Sequence, residues 1–350
     1  MTALDRASID ALDSGHMLAD ILAMPEHLGD AVWRVQTAAI EPRDTPGGLV
    51  VAGMGASAIG GLLARAALGD EASRPILATR GYGLPPWTTP DTTVLCSSYS
   101  GNTEETLACF EAAGTLGTRR IAVTSGGLLA EAARAEDVPV IPLPGGFEPR
   151  AAIAYLLVSA LEVAALCGCG PRLTTEIDVT AAHLAELVTS WDADAGEQSE
   201  AVALARDLHG TVPVITGCGV TAPLAYRWKT QINENAGAPA FWGELPEVDH
   251  NEIAGWLGAG TPSCFSAVFL DDQDCHPRMR RRIELTERLL RPHAALTRVV
   301  ATRGDSALER VCSLVLLGDL LSCYLAALAG VDPSAAPPLA ELKEMLAAVE

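Results

Sequence analysis

Ser98-Tyr99-Ser100-Gly101-Asn102-Thr103-Glu104-Glu105-Thr106 follows a short apolar run, Thr93-Val94-Leu95-Cys96, and precedes a helix-like stretch from about Glu104 to Leu116. An apolar run, a small polar turn and then a helix make up the βα unit of a parallel sheet. The turn gathers hydroxyls and backbone N–H groups where a strand gives way to a helix. A helix start offers unpaired N–H donors and a partial positive charge, which is the physical recipe for holding a phosphate. Ser98, Ser100 and Thr103 add neutral donors without bringing a counter-charge. Small hydroxyls before a helix also serve as plain N-caps. Four hydroxyl residues around Gly101-Asn102 are more than one cap requires.

The same unit recurs on either side. Leu49-Val50-Val51-Ala52 reads as a strand, Gly53 to Gly55 as a turn and Ala56 to Leu68 as a helix. Pro75 to Thr79 reads as a second strand, Thr93 to Ser97 as a third, Ile121 to Thr124 as a fourth and Val138 to Ile141 as a short fifth. Apolar strands separated by helices predict a doubly wound, mainly parallel sheet covered on both faces. Ligands of such sheets sit beyond the C-terminal strand ends, where both glycine/serine turns lie.

Residues 1–45 read as helices packed on the segment after them. Arg150 to Leu166 reads as a long helix, and Cys167-Gly168-Cys169-Gly170-Pro171 breaks it. That break divides the chain into a first domain, 1–166, and a second, 167–350. Residues 173–208 read as one or two helices. At Val212 the pattern resets: an apolar strand, Gly217-Cys218-Gly219, then a helix from Thr221 to Ala236. This weak internal repeat points to a second α/β domain, without a serine-rich turn. Ser263 to Leu270, Leu296 to Ala301 and Val311 to Leu317 supply strand or helix pieces, and Leu339 to Val349 a terminal helix.

The 350 residues are 49% hydrophobic and 19% charged, which suits a globular enzyme and excludes a disordered chain. With 24 basic and 44 acidic residues the formal net charge is -20. Such a field repels nucleic acid and anionic membranes. It repels an anionic substrate too, so a phosphate site has to work through local donors. Met1 to Asp20 lacks a basic start followed by an apolar core, so a cytoplasmic protein is expected. Nine cysteines, several inside apolar runs, read as reduced buried thiols without a zinc site.

Gly53-Met54-Gly55-Ala56-Ser57 does not extend to Gly-x-Gly-x-x-Gly, and no lysine follows for a P-loop. Taken alone, this turn is as compatible with tight strand–helix packing as with ligand contact. Farther on, Glu234 ends a helix and His250 lies in a polar loop, a carboxylate and an imidazole that could act as acid and base. Each also reads as ordinary: a solvated helix end, a capping residue. Glu244, Glu247 and Glu252 read as surface charge, and Arg278 to Arg282 as a solvated helix face or an internal charge match. Arg150, a cation at a helix start, calls for a pairing or ligand-directed role. Lys343 reads by default as an exposed helical lysine.

Gly53 to Ser57 with Ser98 to Thr106 resembles the sugar isomerase (SIS) domain pattern. Pro149-Arg150-Ala151-Ala152, Asn233-Glu234-Asn235-Ala236, Asp249-His250-Asn251-Glu252-Ile253 and Leu342-Lys343 narrow the resemblance to the bifunctional phosphoglucose/phosphomannose isomerase family. It implies two SIS-type subdomains and a metal-free, cofactor-free aldose–ketose isomerase. The substrate would be a hexose 6-phosphate, glucose or mannose 6-phosphate being interconverted with fructose 6-phosphate through an enediolate. By the same resemblance Gly55, Ser57, Ser98, Ser100 and Thr103 would hold the phosphate. Glu234 would move the proton between C1 and C2, and His250 with Lys343 would open the ring. Arg150 would steady the enediolate, and the protein would be a homodimer with shared sites. The family's usual glycines are replaced by Ala56 and Ala58, and Leu62 stands where an acid is common. The alternatives are a non-catalytic sugar-phosphate sensor and an amino-sugar phosphate isomerase.

Overall fold

Leu49-Val50-Val51-Ala52 shows no alternation of polar and apolar residues, and all four are buried, as a strand covered on both faces must be. The computed structural model describes residues 4–258 and 264–347. The chain begins with helices α1 (Arg6–Asp10), α2 (Met17–Leu22) and α3 (Met24–Thr37). Then come β1 (Leu49–Ala52), α4 (Ala56–Leu68), β2 (Ile76–Thr79), β3 (Thr93–Ser97), α5 (Glu104–Thr115), β4 (Arg119–Thr124), α6 (Gly127–Ala135) and β5 (Val140–Pro142). Helices α7 (Ile153–Leu166), α8 (Thr174–Trp191) and α9 (Glu200–Leu208) lead to β6 (Val212–Gly217), α10 (Ala222–Asn235), β7 (Phe241–Glu244) and α11 (Glu252–Trp256). The rest is β8 (Phe265–Asp271), α12 (Pro277–Leu290), β9 (Thr297–Ala301), α13 (Ala307–Ala329) and α14 (Pro337–Ala347).

These elements form two compact units, each discontinuous in sequence, and the chain passes from one to the other at 22/23, 185/186, 302/303 and 312/313. One comprises 23–185 with 303–312. Its sheet has the order β2-β1-β3-β4-β5, with every pair parallel. The winding reverses at β1, which has β2 on one side and β3 on the other. Val50, Ala52, Val94, Cys96 and Ala122 form its core with Phe110 of α5 and Leu129 of α6. The valine, leucine and phenylalanine side chains among them each contribute roughly 1.5–3 kcal/mol when fully buried.

The other unit draws its described residues from 1–22, 186–302 and 313–350. Its sheet, β7-β6-β8-β9, is also wholly parallel and repeats the reversal at its first strand. Ala267 and Phe269 of β8 pack with Cys218, Leu245, Val248, Ile283 and Leu290. The architecture is therefore α/β, with two parallel sheets flanked by helices.

Helix α7 and strand β7 depart from the sequence reading. Helix α7 begins at Ile153, because Glu148 to Ala151 closes a turn (Ala151 N–H to Glu148 O, 2.8 Å) after the conformationally restricted Pro149. Val311 to Leu317 belongs to the 23-residue α13. That helix is long and apolar enough to cross a membrane, yet 94% of its apolar window is buried. Strand β7 was not expected: it is a four-residue edge strand without an apolar run. Ser263 and Val349, the expected ends of two elements, lie outside the described residues. All nine cysteines are free and seven are buried.

Near α2, Asp13 accepts from Leu18 N–H (2.8 Å) and the Ser334 hydroxyl (2.6 Å). Burial pushes the nearby Asp20 carboxyl up to about 6; Asp13 adds repulsion and His16 partly offsets it. A carboxyl raised in the folded state favours folding when protonated, so stability falls as pH rises from the ordinary carboxylate value through about 6. Asp20→Asn is expected to raise Tm at pH 7.5 and to match the parent at pH 3.5. A difference independent of pH would contradict this.

Candidate functional site

Strands β1 and β3 pair directly, with Ala52 opposite Cys96, so the turns after them leave one sheet edge side by side. A Cβ on Gly53 would stand 2.7 Å from Ser97 O and 3.0 Å from Ser57 Cβ, which gives that glycine a packing reason. Gly55 differs: its φ is +52°, nothing lies within 4 Å of where its Cβ would be, and it starts α4 without a side-chain cap. No side chain caps the first turn of α4; Ser57 is buried there, and its own N–H donates to Met54 O at 3.1 Å.

The hydroxyls of the second turn are not used as caps either. Thr103 stands at the N-cap of α5 but makes no capping hydrogen bond; its hydroxyl pairs with that of Ser98 at 2.8 Å. Ser98 Oγ also accepts Gly101 N–H (3.1 Å), and Ser100 Oγ accepts Asn102 N–H (3.2 Å). Ser98 is buried and Ser100 is exposed. Gly101 has φ +70°, and a Cβ there would collide with the carbonyl of Gly126, so this turn lies hard against the one after β4. Asn102 Oδ1 accepts Leu128 N–H (3.1 Å), and the Ser125 hydroxyl donates to Tyr99 O (2.7 Å). Two carboxylates, Glu104 and Glu105, stand in the first turn of α5, and Glu104 accepts from the Tyr82 hydroxyl at 3.1 Å.

Arg150 belongs to the same unit. It is buried, and its Nη1 lies 3.0 Å from Glu148 Oε2. The pairing foreseen for a cation before a helix is present.

Glu234, His250 and Lys343 belong to the other unit. Glu234 is half-buried at the penultimate position of α10, between two amides that are each tied down. Asn233 Nδ2 donates to Ala238 O (2.8 Å), and Asn235 Nδ2 donates to Ser322 Oγ (2.8 Å). Earlier on α10, Trp228 Nε1 donates to Leu314 O (2.7 Å) and Arg227 makes a two-pronged pair with Asp319 (3.0 and 2.5 Å). Helix α10 is thereby fixed on α13. Burial pushes the Asp319 carboxyl up despite Arg227.

His250 is exposed at the end of a one-turn helix, Glu247–His250. Its neighbour Asp249 takes Arg282 Nη1 (3.0 Å) and the Thr286 hydroxyl (2.8 Å) from α12. Arg280 and Arg281 likewise pair with Asp271 and Glu284, so Arg280, Arg281 and Arg282 of the basic cluster are matched by acids of the same unit. Glu252 is exposed, as the surface-charge reading has it, but it is not remote from the core. Burial raises its carboxyl, and it lines a small recess with Val248, Trp256 and Phe269. Lys343 falls on α14, and its side chain is outside the described residues. Among the described residues, no group of three or more His, Cys, Asp or Glu could hold a metal ion.

Residues 197–346 match the family described as bacterial phospho-glucose isomerase C-terminal SIS domain. The chain is 35% identical over 308 residues to the bifunctional phosphoglucose/phosphomannose isomerase of Caldicellulosiruptor bescii, covering 86% of this chain and 90% of that one. The chain belongs to the bifunctional phosphoglucose/phosphomannose isomerase family. The Aquifex aeolicus protein of the same description is 34% identical over 300 residues, covering 85% and 90%. A hypothetical protein of Thermus thermophilus shares the fold with TM-score 0.69 at 18% identity, over 95% of this chain and 90% of that one.

Within this family member, the sequence reading missed the residues that hold the candidates in place. Asn233 and Asn235 were visible as part of a polar motif, but Asp319 and Ser322 gave no local signal. Arg227→Met would leave Asp319 buried without its cation and is expected to lower stability by about 3–5 kcal/mol in urea unfolding. Arg227→Met with Asp319→Leu should recover most of that. Equal losses in the single and double variants would contradict the assignment.

Proposed function

We propose that this protein is a metal-independent aldose–ketose isomerase that interconverts glucose 6-phosphate, mannose 6-phosphate or both with fructose 6-phosphate through an enediolate. Family membership supports the reaction class. The observation that carries the substrate class is the pair of adjoining hydroxyl-bearing turns with α4 and α5 starting uncapped behind them. In this reading Gly55, Ser57, Ser98, Ser100 and Thr103 hold the phosphate with neutral donors and helix-start N–H groups.

The remaining roles follow from chemistry. Moving a proton between adjacent carbons needs one base that can return it, and Glu234, on a helix end held by Asn233 and Asn235, serves. The enediolate needs a cation that stays charged, a role for Arg150. Ring opening needs proton donation and removal near neutrality, which suits His250, assisted by Lys343. We extend the proposal to a cytoplasmic homodimer in which His250 serves the neighbouring copy's site, without nucleic-acid or membrane partners. The net charge of -20 favours that partner choice.

Steady-state rates on mannose, glucose and glucosamine 6-phosphates, with EDTA present, test the proposal. Turnover of at least one of the first two is expected. Binding without turnover would favour a sensor, preference for the amino sugar another isomerase, and loss of activity in EDTA a metal enzyme. Glu234→Gln should keep substrate affinity and lower kcat by roughly 10²–10⁴-fold, with solvent deuterium no longer entering C2; a normal rate of exchange would remove Glu234 from the base role. Ser100→Ala should raise KM roughly tenfold with little change in kcat. An unchanged KM would count against the phosphate assignment.

A further inference from the structure

Tyr99 stands between Ser98 and Ser100, and its side chain is committed elsewhere than theirs. It is 8% exposed. Its hydroxyl donates to Pro144 O at 2.9 Å and accepts Phe147 N–H at 2.9 Å. These two bonds bracket Gly145-Gly146, a pair without side chains of which Gly146 has φ +95°. Glycines lose the most conformational freedom on ordering, so this loop needs an outside anchor. The backbone of Tyr99 is itself anchored: its carbonyl accepts from Ser125 N–H (3.0 Å) and from the Ser125 hydroxyl (2.7 Å). The Phe147 ring packs on His27 and Tyr155 at 5.0 and 5.8 Å. The next residue, Glu148, pairs with the Arg150 guanidinium at 3.0 Å and accepts Ala151 N–H at 2.8 Å.

We infer that Tyr99 is a positioning residue: it ties the phosphate turn to the loop that carries Arg150, so that a phosphate held at that turn and the cation facing the reacting carbons keep a fixed spacing. This rests on the reading of Arg150 as the group that steadies the enediolate. The tie needs a hydroxyl, because one atom both donates to a carbonyl and accepts from an N–H. Phenylalanine keeps the ring and loses both bonds.

The test measures kcat, KM and Tm for the parent, Tyr99→Phe, Arg150→Lys, Arg150→Met and the Tyr99→Phe/Arg150→Lys double variant, with fructose 6-phosphate as substrate. Tyr99→Phe is expected to lower kcat about 10- to 100-fold, leave KM within about twofold, and add little in the Arg150→Lys background. Non-additivity of this kind marks residues that act through one another. Amide exchange at Phe147 gives a reading independent of turnover: faster in Tyr99→Phe, parental in Ser100→Ala. A parental kcat in Tyr99→Phe, or the same loss in both backgrounds, overturns the inference. Parental kcat in Arg150→Met removes the underlying reading of Arg150 and the inference with it. A depressed Arg150→Met beside a parental Tyr99→Phe sinks the inference alone.

Discussion

The parallel pairing of β1 with β3 is the constraint on which the candidate site depends. Neighbouring strands lie about 4.8 Å apart, and a second strand between them would double that spacing. A phosphate reaches donors at about 3 Å from its oxygens, so turns on adjacent strands can share it and turns two strands apart cannot. The register Ala52 to Cys96 brings both strands to their C-terminal ends together. The reversal of winding at β1 leaves the space beyond those ends uncrossed by a connection between these two strands. The buried strand residues Val50, Ala52, Val94 and Cys96 hold this edge in place from below.

On the proposed reading, in which the turn holds a phosphate, charge gives a reason for building it from hydroxyls. The whole chain carries a formal charge of -20, but at physiological salt its field is screened beyond about 8 Å. Inside the turn, local donors decide. A hydrogen bond to a charged group is worth about 1.5–3 kcal/mol, so three or four hydroxyls with two helix starts outweigh a screened background. The same turn is made rigid by Gly101 against Gly126, by Asn102 on the start of α6 and by Ser125 on Tyr99.

Much of this was legible in the sequence because it is local. The strand Thr93–Ser97, the helix Ala56–Leu68 and the turns between strands and helices follow from apolar runs punctuated by glycine and serine. What escaped was non-local. Strand β7 exists only because β6 lies beside it, and four edge residues carry no apolar signature. The partners that fix α10 lie 92 residues away at Asp319 and 87 away at Ser322. The apolar length of α13 gave no hint that Asp319 within it would be matched by Arg227. Tyr99 was given no role of its own in the sequence, because its hydroxyl bonds to residues 45 and 48 positions away.

The most direct test is a crystal structure of the protein with fructose 6-phosphate bound. The account predicts phosphate oxygens at about 3 Å from the hydroxyls of Ser57, Ser98, Ser100 and Thr103 and from N–H groups that open α4 and α5. A phosphate seated on arginine or lysine side chains away from the β1 and β3 turns would contradict it.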